Sequence, residues 1–240
     1  MGRAFEYRKH KKFARWSAMA KNFTKLSKQV MLAVKSGGPD PHSNYKLKIA
    51  IQNAKTFQMP KENIENAIKK AVAKDSETFH ELVYEGYAAH GVAVYVESAT
   101  DNPTRTVANV RLAFSKCGGQ LGTSGSLSFL FDKMSMFKFP LNNLDKDELE
   151  LELIDFGMTD IESDTDEDGK EHLTIYANFT DFANMNKALE EKGITPDEAK
   201  TIYLPNDSKE VSDEQAEDVI KLIERLEEDD DVLAVYTNMK

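Results

Sequence analysis

The chain has a single cysteine, Cys117, in 240 residues. A lone thiol excludes an internal disulfide framework and any cysteine-rich zinc site, and it fits a reducing compartment. Long apolar runs are also missing. The longest, at 30–34, has five residues, far short of the roughly 18 that a membrane-spanning helix needs. No apolar signal region opens the chain, and its Arg-rich start has too little serine for a mitochondrial targeting peptide. A cytoplasmic protein is expected.

Patterns that announce catalysis are scarce as well. The five histidines, at 10, 42, 80, 90 and 172, show no metal-ligand spacing. The Gly/Ser-rich stretch at 118–126 lacks the lysine of a phosphate-binding loop and runs helix–loop–strand rather than strand–loop–helix. No nucleophile elbow is present. The run Asp164-x-Asp166-x-Asp168-Gly169 matches the first half of a calcium loop. Its twelfth position, which needs a bidentate Glu, is Ile175, and its flanks read as strands, so a hairpin turn is expected. These absences point to a protein that is not an enzyme and needs no cofactor or metal.

Charge is abundant but segregated. The formal net charge of −10 argues against a polyanionic partner. Its distribution argues the other way. Residues 1–75 hold 17 Lys/Arg against 5 Asp/Glu, a net +12; residues 76–140 are near neutral at −1; residues 141–240 hold 9 against 30, a net −21. A basic segment joined to an acidic body is a mark of a chain that grips a polyanion with one part only. Arg3, Arg8, Lys9, Lys11, Lys12 and Arg15 crowd the start, interleaved with Phe5, Tyr7, Phe13 and Trp16. Such aromatics either stack on bases or anchor the segment to its own domain.

From 17 to 35 the pattern is helical, with Phe23, Leu26, Val30, Ala33 and Val34 on one face. Lys21, Lys25, Lys28 and Lys35 fall within about 80° on the opposite face. No acid in the stretch offsets them, so a solvent-facing lysine stripe compensated by an external anion is expected. Gly37-Gly38-Pro39-Asp40-Pro41 stops this helix. A second helix at 44–57 should bury Leu47, Ala50, Ile51 and Ala54. A third starts at Met59-Pro60 and carries Ile64, Ala67, Ile68 and Ala71 inward. Beyond 76, strands are expected at 92–96, in two runs within 127–139, and at 172–176, 201–204 and 232–236. Helices are expected after Asn102-Pro103 and at 147–156, 181–192 and 211–228. This is an α+β pattern.

An ordered series of segments resembles the YebC/PmpR family. It comprises Phe23-Thr24-Lys25-Leu26, Gly37-Gly38-Pro39-Asp40-Pro41, Asn53-Ala54-Lys55, Met59-Pro60-Lys61-Glu62-Asn63-Ile64 and Tyr84-Glu85-Gly86-Tyr87. Gly91-Val92-Ala93, Thr100-Asp101-Asn102-Pro103-Thr104-Arg105-Thr106 and Gly118-Gly119 followed by Leu121-Gly122 continue it. The opening departs from the family, with Gly2-Arg3-Ala4-Phe5-Glu6 in place of Gly-His-Ser-Lys-Trp. The resemblance implies an α+β multidomain fold: a three-helix domain at 1–76, an α+β domain at 77–135 and 205–240, and an acidic α+β domain at 136–204 inserted in it. It also implies a DNA-binding transcriptional regulator or, as in other members, a ribosome-associated translation factor holding rRNA. The candidate nucleic-acid contacts are Arg3, Arg8, Lys9, Lys11, Lys12, Arg15, Lys21, Lys25, Lys28 and Lys35.

Overall fold

The computed structural model describes residues 15–73, 78–142, 144–165 and 169–240. Three helices come first: α1 (Arg15–Gly37), α2 (Tyr45–Thr56) and α3 (Lys61–Val72). Then follow β1 (His80–Tyr87), β2 (Ala93–Thr100), α4 (Pro103–Lys116), β3 (Gln120–Leu121), β4 (Phe131–Pro140) and α5 (Lys146–Leu153). The chain continues through β5 (Met158–Thr165), β6 (Glu171–Asn178), α6 (Phe182–Glu191) and β7 (Glu198–Pro205). It closes with α7 (Asp213–Glu227) and β8 (Val232–Thr237).

Contacts divide the chain into two compact units. One takes the chain up to Leu32, Asn66–Asp132 and Leu204–Lys240; the other takes Ala33–Glu65 and Lys133–Tyr203. The second unit's sheet is thus inserted into the chain of the first, and the expected α+β class with an insertion holds.

In the first unit the sheet order is β3-β1-β2-β8, with β2 antiparallel to β1 and β8. Val94 and Val96 of β2 pack with Val110 and Phe114 of α4 and with Val219, Leu222 and Leu226 of α7. The helices start where local chemistry allows. Asn102 accepts the Arg105 amide ahead of Pro103, whose missing N–H costs nothing in a first turn. Ser212 and Gln215 form a capping box on α7. β1 was not expected, since His80, Glu81 and Glu85 break its alternation. Gly86 explains part of the break. A Cβ there would lie 2.5 Å from the Gln120 carbonyl and 2.8 Å from the Phe114 ring. Gly86→Ala is therefore expected to cost about 1–3 kcal/mol through overpacking, read as a lower urea midpoint at unchanged m-value.

Glu85 is buried beside it. Its carboxylate accepts the amides of Gly125 (2.8 Å) and Leu127 (2.5 Å), which ties the Gly/Ser-rich stretch to β1. Apart from the two-residue strand β3 at its start that stretch is turn, as expected, and within 127–139 only β4 follows it. Of the two strand runs expected within 127–139, the first is absent, because Leu127 is drawn into a turn with Leu130.

In the second unit the sheet order is β5-β6-β4-β7. Phe137, Phe139, Leu153, Leu173, Ile175, Met185 and Leu189 form its core. Ile175 is fully buried there. It stands where a calcium loop needs its bidentate ligand, and the Asp-rich run joins antiparallel neighbours with Thr165 opposite Glu171. Asp166 and Asp168 lie outside the described residues. Strand β5 is the expected strand flank of the Asp-rich run; of its residues Met158 and Ile161 are buried, with Asp160 and Glu162 exposed. Helix α2 buries Leu47, Ile49, Ala50 and Ala54, with Ile51 only half-buried. Ile49 enters the core and Tyr45 meets Phe182 edge-on at 6.1 Å. A helix packed on two sides does not obey a one-face pattern. Asn53 donates to the Ala199 carbonyl and accepts the Ala199 amide, so a side-chain amide covers part of edge strand β7.

Candidate nucleic-acid interface

Helix α1 has no acidic residue in its 23 positions. Leu26, Val30, Ala33 and Val34 are buried as the period predicts. Lys28 is buried too, at 8% exposure. Its ammonium reaches three acceptors: an Asp231 carboxylate oxygen at 2.6 Å, the Asp230 carbonyl at 2.9 Å and the Ala99 carbonyl at 3.3 Å. Three donors meet three acceptors, so the group is satisfied. The other Asp231 oxygen accepts from Arg105 (2.6 Å), the Thr106 hydroxyl (2.8 Å) and the Thr100 hydroxyl (3.1 Å). Burial alone would push the Asp231 carboxyl up. Hydrogen bonds from Lys28, Arg105 and Thr106, with the Lys28 charge, outweigh burial and hold it at about 2. The same partner and Asp101 push the Arg105 guanidinium above its ordinary value.

The expectation of a lysine stripe facing solvent is therefore corrected at Lys28. The anion that offsets its charge comes from this chain, 203 residues away. Lys25 is half-buried and donates to the Glu227 carbonyl at 2.8 Å. A cleft of about 780 Å³ adjoins this knot, lined by Ser27, Met31, Lys70 and Phe79 but also by Asp101, Asp229 and Asp230. Arg105 lines it as well, so the cleft carries charge of both signs.

The remaining candidates stand differently. Lys35 is exposed in the last turn of α1, where a cation also favours the helix dipole. Arg15 and Lys21 belong to α1, and their side chains fall outside the described residues. Arg3, Arg8, Lys9, Lys11 and Lys12 lie outside the described residues altogether. Exposed basic positions that sequence reasoning passed over are Lys46 and Lys55 on α2 in the second unit and Lys69 and Lys70 on α3 in the first. None of these four makes an ion pair within 4 Å among the described residues, unlike Lys48 with Glu190 or Lys61 with Glu65. For Lys46, Lys55 and Lys70 the signal was legible: a lysine with no acid three or four residues away; Lys69 has Glu65 four residues before it. Among the described residues no three His, Cys, Asp or Glu side chains gather as a metal site, and no helix is long and apolar enough to cross a membrane.

Known proteins match the whole length. Residues 3–74 match the model of the TACO1/YebC protein N-terminal domain, and residues 79–239 match that of the TACO1/YebC second and third domain. A probable transcriptional regulatory protein of Flavobacterium psychrophilum, FP0835, is 50% identical over 240 residues, covering 100% of both chains. Another, from Parabacteroides distasonis, is 52% identical over 241 residues, covering 100% of this chain and 97% of its own. The crystal structure of a conserved hypothetical protein, Aq1575 of Aquifex aeolicus, superposes with a TM-score of 0.80 at 38% identity over 93% of this chain and 90% of that one. An acid-free basic helix, an inserted second sheet and two family models covering nearly every residue converge: the chain belongs to the TACO1/YebC family.

Proposed function

We propose that the protein is a cytoplasmic nucleic-acid-binding regulator, not an enzyme, that holds DNA through its basic N-terminal part. The observation that carries this reading is the charge segregation: 17 Lys/Arg against 5 Asp/Glu in residues 1–75, beside a net −21 in residues 141–240. Relatives named probable transcriptional regulatory proteins support it. With Lys28 used internally, the proposed phosphate contacts are Arg3, Arg8, Lys9, Lys11, Lys12, Arg15, Lys21 and Lys35, with Lys25 at the margin. A boundary near residue 76, between the two family models, is proposed as the limit of this basic part.

Phosphate recognition barely distinguishes nucleic acids, so the same residues would serve a translation factor on rRNA. One experiment separates the two. The full chain is titrated at several salt concentrations against a promoter duplex and a structured rRNA fragment, and its sedimentation with ribosomes is measured. Tighter, salt-dependent binding to the duplex is expected. Preference for the RNA together with ribosome co-sedimentation would replace DNA by RNA in this reading, and salt-independent or absent binding to both would end it.

A further inference from the structure

In the second unit, helix α5 turns its buried residues, Leu149 and Leu153, into the core. Its other face is unusual. Leu151 is 75% exposed, Ile154 in the following 3-10 turn 52%, and Phe156 38%. At about 100° per residue Leu151 and Ile154 stand roughly 60° apart, opposite the buried pair. Leu151 and Ile154 share one exposed stripe rather than scattered exposure, and Phe156 follows at the end of the turn. The core does not need them, because Leu149 and Leu153 already fill it from the same helix.

The rim of this patch is acidic. Asp147, Glu148, Glu150 and Asp155 are exposed around it, and no ion pair within 4 Å engages them among the described residues. Glu152 is held by Lys192 and adds nothing free. Asp145 caps the helix by accepting the Asp147 and Glu148 amides. A rim of one sign around an apolar centre selects a partner of the opposite sign with apolar side chains of its own. It disfavours an anionic membrane surface, which the same carboxylates would repel.

We propose that the α5 face is a docking site for a basic amphipathic segment of another protein, with lysine or arginine flanking an apolar stripe. The stripe covers Leu151 and Ile154, and the cations meet Asp147, Glu148, Glu150 and Asp155. The proposal does not depend on nucleic-acid binding.

The test titrates the full chain against a fluorescein-labelled 18-residue peptide of leucine and lysine in amphipathic helical order. A second peptide carries glutamate in place of lysine. Wild type is expected to bind the lysine peptide and not the glutamate one. Leu151→Ser with Ile154→Ser should weaken binding about tenfold or more, the scale of losing one central apolar anchor, at unchanged melting temperature. Asp147→Asn with Glu148→Gln and Asp155→Asn should weaken it and flatten its salt dependence. No binding of the lysine peptide, or equal binding by wild type and the Ser variant, overturns the proposal. So does sedimentation that shows the chain alone self-associating through the same leucine and isoleucine, which would make the occupant a second copy. Binding to phosphatidylglycerol vesicles that the Ser variant loses would overturn it in favour of a membrane.

Discussion

Replacing Asp231 by alanine is expected to destabilise the protein by about 3–5 kcal/mol, because it leaves a buried Lys28 ammonium without its counter-charge. The same carboxylate serves Arg105, Thr100 and Thr106. One residue therefore joins α1, the end of β2, the start of α4 and the approach to β8. For a chain of this length the melting temperature should fall on the order of 10 °C. Lys28→Met should cost less, since Asp231 keeps Arg105 and both threonines. The double variant, compared with the two singles, should show a coupling of about 1 kcal/mol or more. Additive singles would mean that the 2.6 Å pair contributes nothing of its own.

Acid gives an independent view of the same carboxylate. Its folded-state pKa, about 2, lies below the ordinary aspartate value of 3.8. A group whose pKa is lowered by folding contributes in full above its unfolded value and loses that contribution as pH falls through the folded one. Between pH 4 and pH 2 wild type should therefore lose about 2 kcal/mol that the Asp231→Ala variant has already lost. The two acid-unfolding curves should converge toward pH 2. Parallel curves would remove Asp231 from the account of acid stability.

The second large effect concerns binding. Replacing Arg8, Lys9, Lys11 and Lys12 together by glutamine is expected to flatten the slope of log K against log salt by about 3.6 units on duplex DNA, or about 2.8 on single strands. If the two lines meet at 1 M salt, the duplex value corresponds to roughly a thousandfold weaker binding at 0.15 M. Lys28→Met is the informative comparison. Its lysine is satisfied inside the fold, so its melting temperature should fall while the slope stays at the wild-type value. An unchanged slope in the fourfold variant would exclude those residues as phosphate contacts. A flattened slope for Lys28→Met would show that the knot opens on binding.

Helix positions were the most legible part of the chain. Pro103 after Asn102, Gly118 after α4, and the spacing of Leu26, Val30 and Val34 each act through neighbours within one or two turns, so no distant residue was needed to read them. Strand β1 was not legible. Its alternation is broken by Glu85 and Gly86. Both make sense only once a facing element is known: the turn at 125–127 for Glu85, and Gln120 for Gly86. For α2, the one-face pattern missed Ile49 because the helix meets two surfaces.

Sequence alone carried the α+β pattern, the absence of catalytic motifs and the +12/−21 split, because composition and short-range spacing are properties of neighbours along the chain; the insertion came from the resemblance to a known family. Tertiary structure decided which lysine is a surface charge and which is an internal one. Helical period put Lys28 opposite the apolar face and so toward water. A carboxylate 203 residues further on, held low by three hydrogen-bond donors, turned that position into the centre of a buried knot. The cost of burying an ammonium depends on what lies within 3 Å of it, and no local pattern encodes that distance.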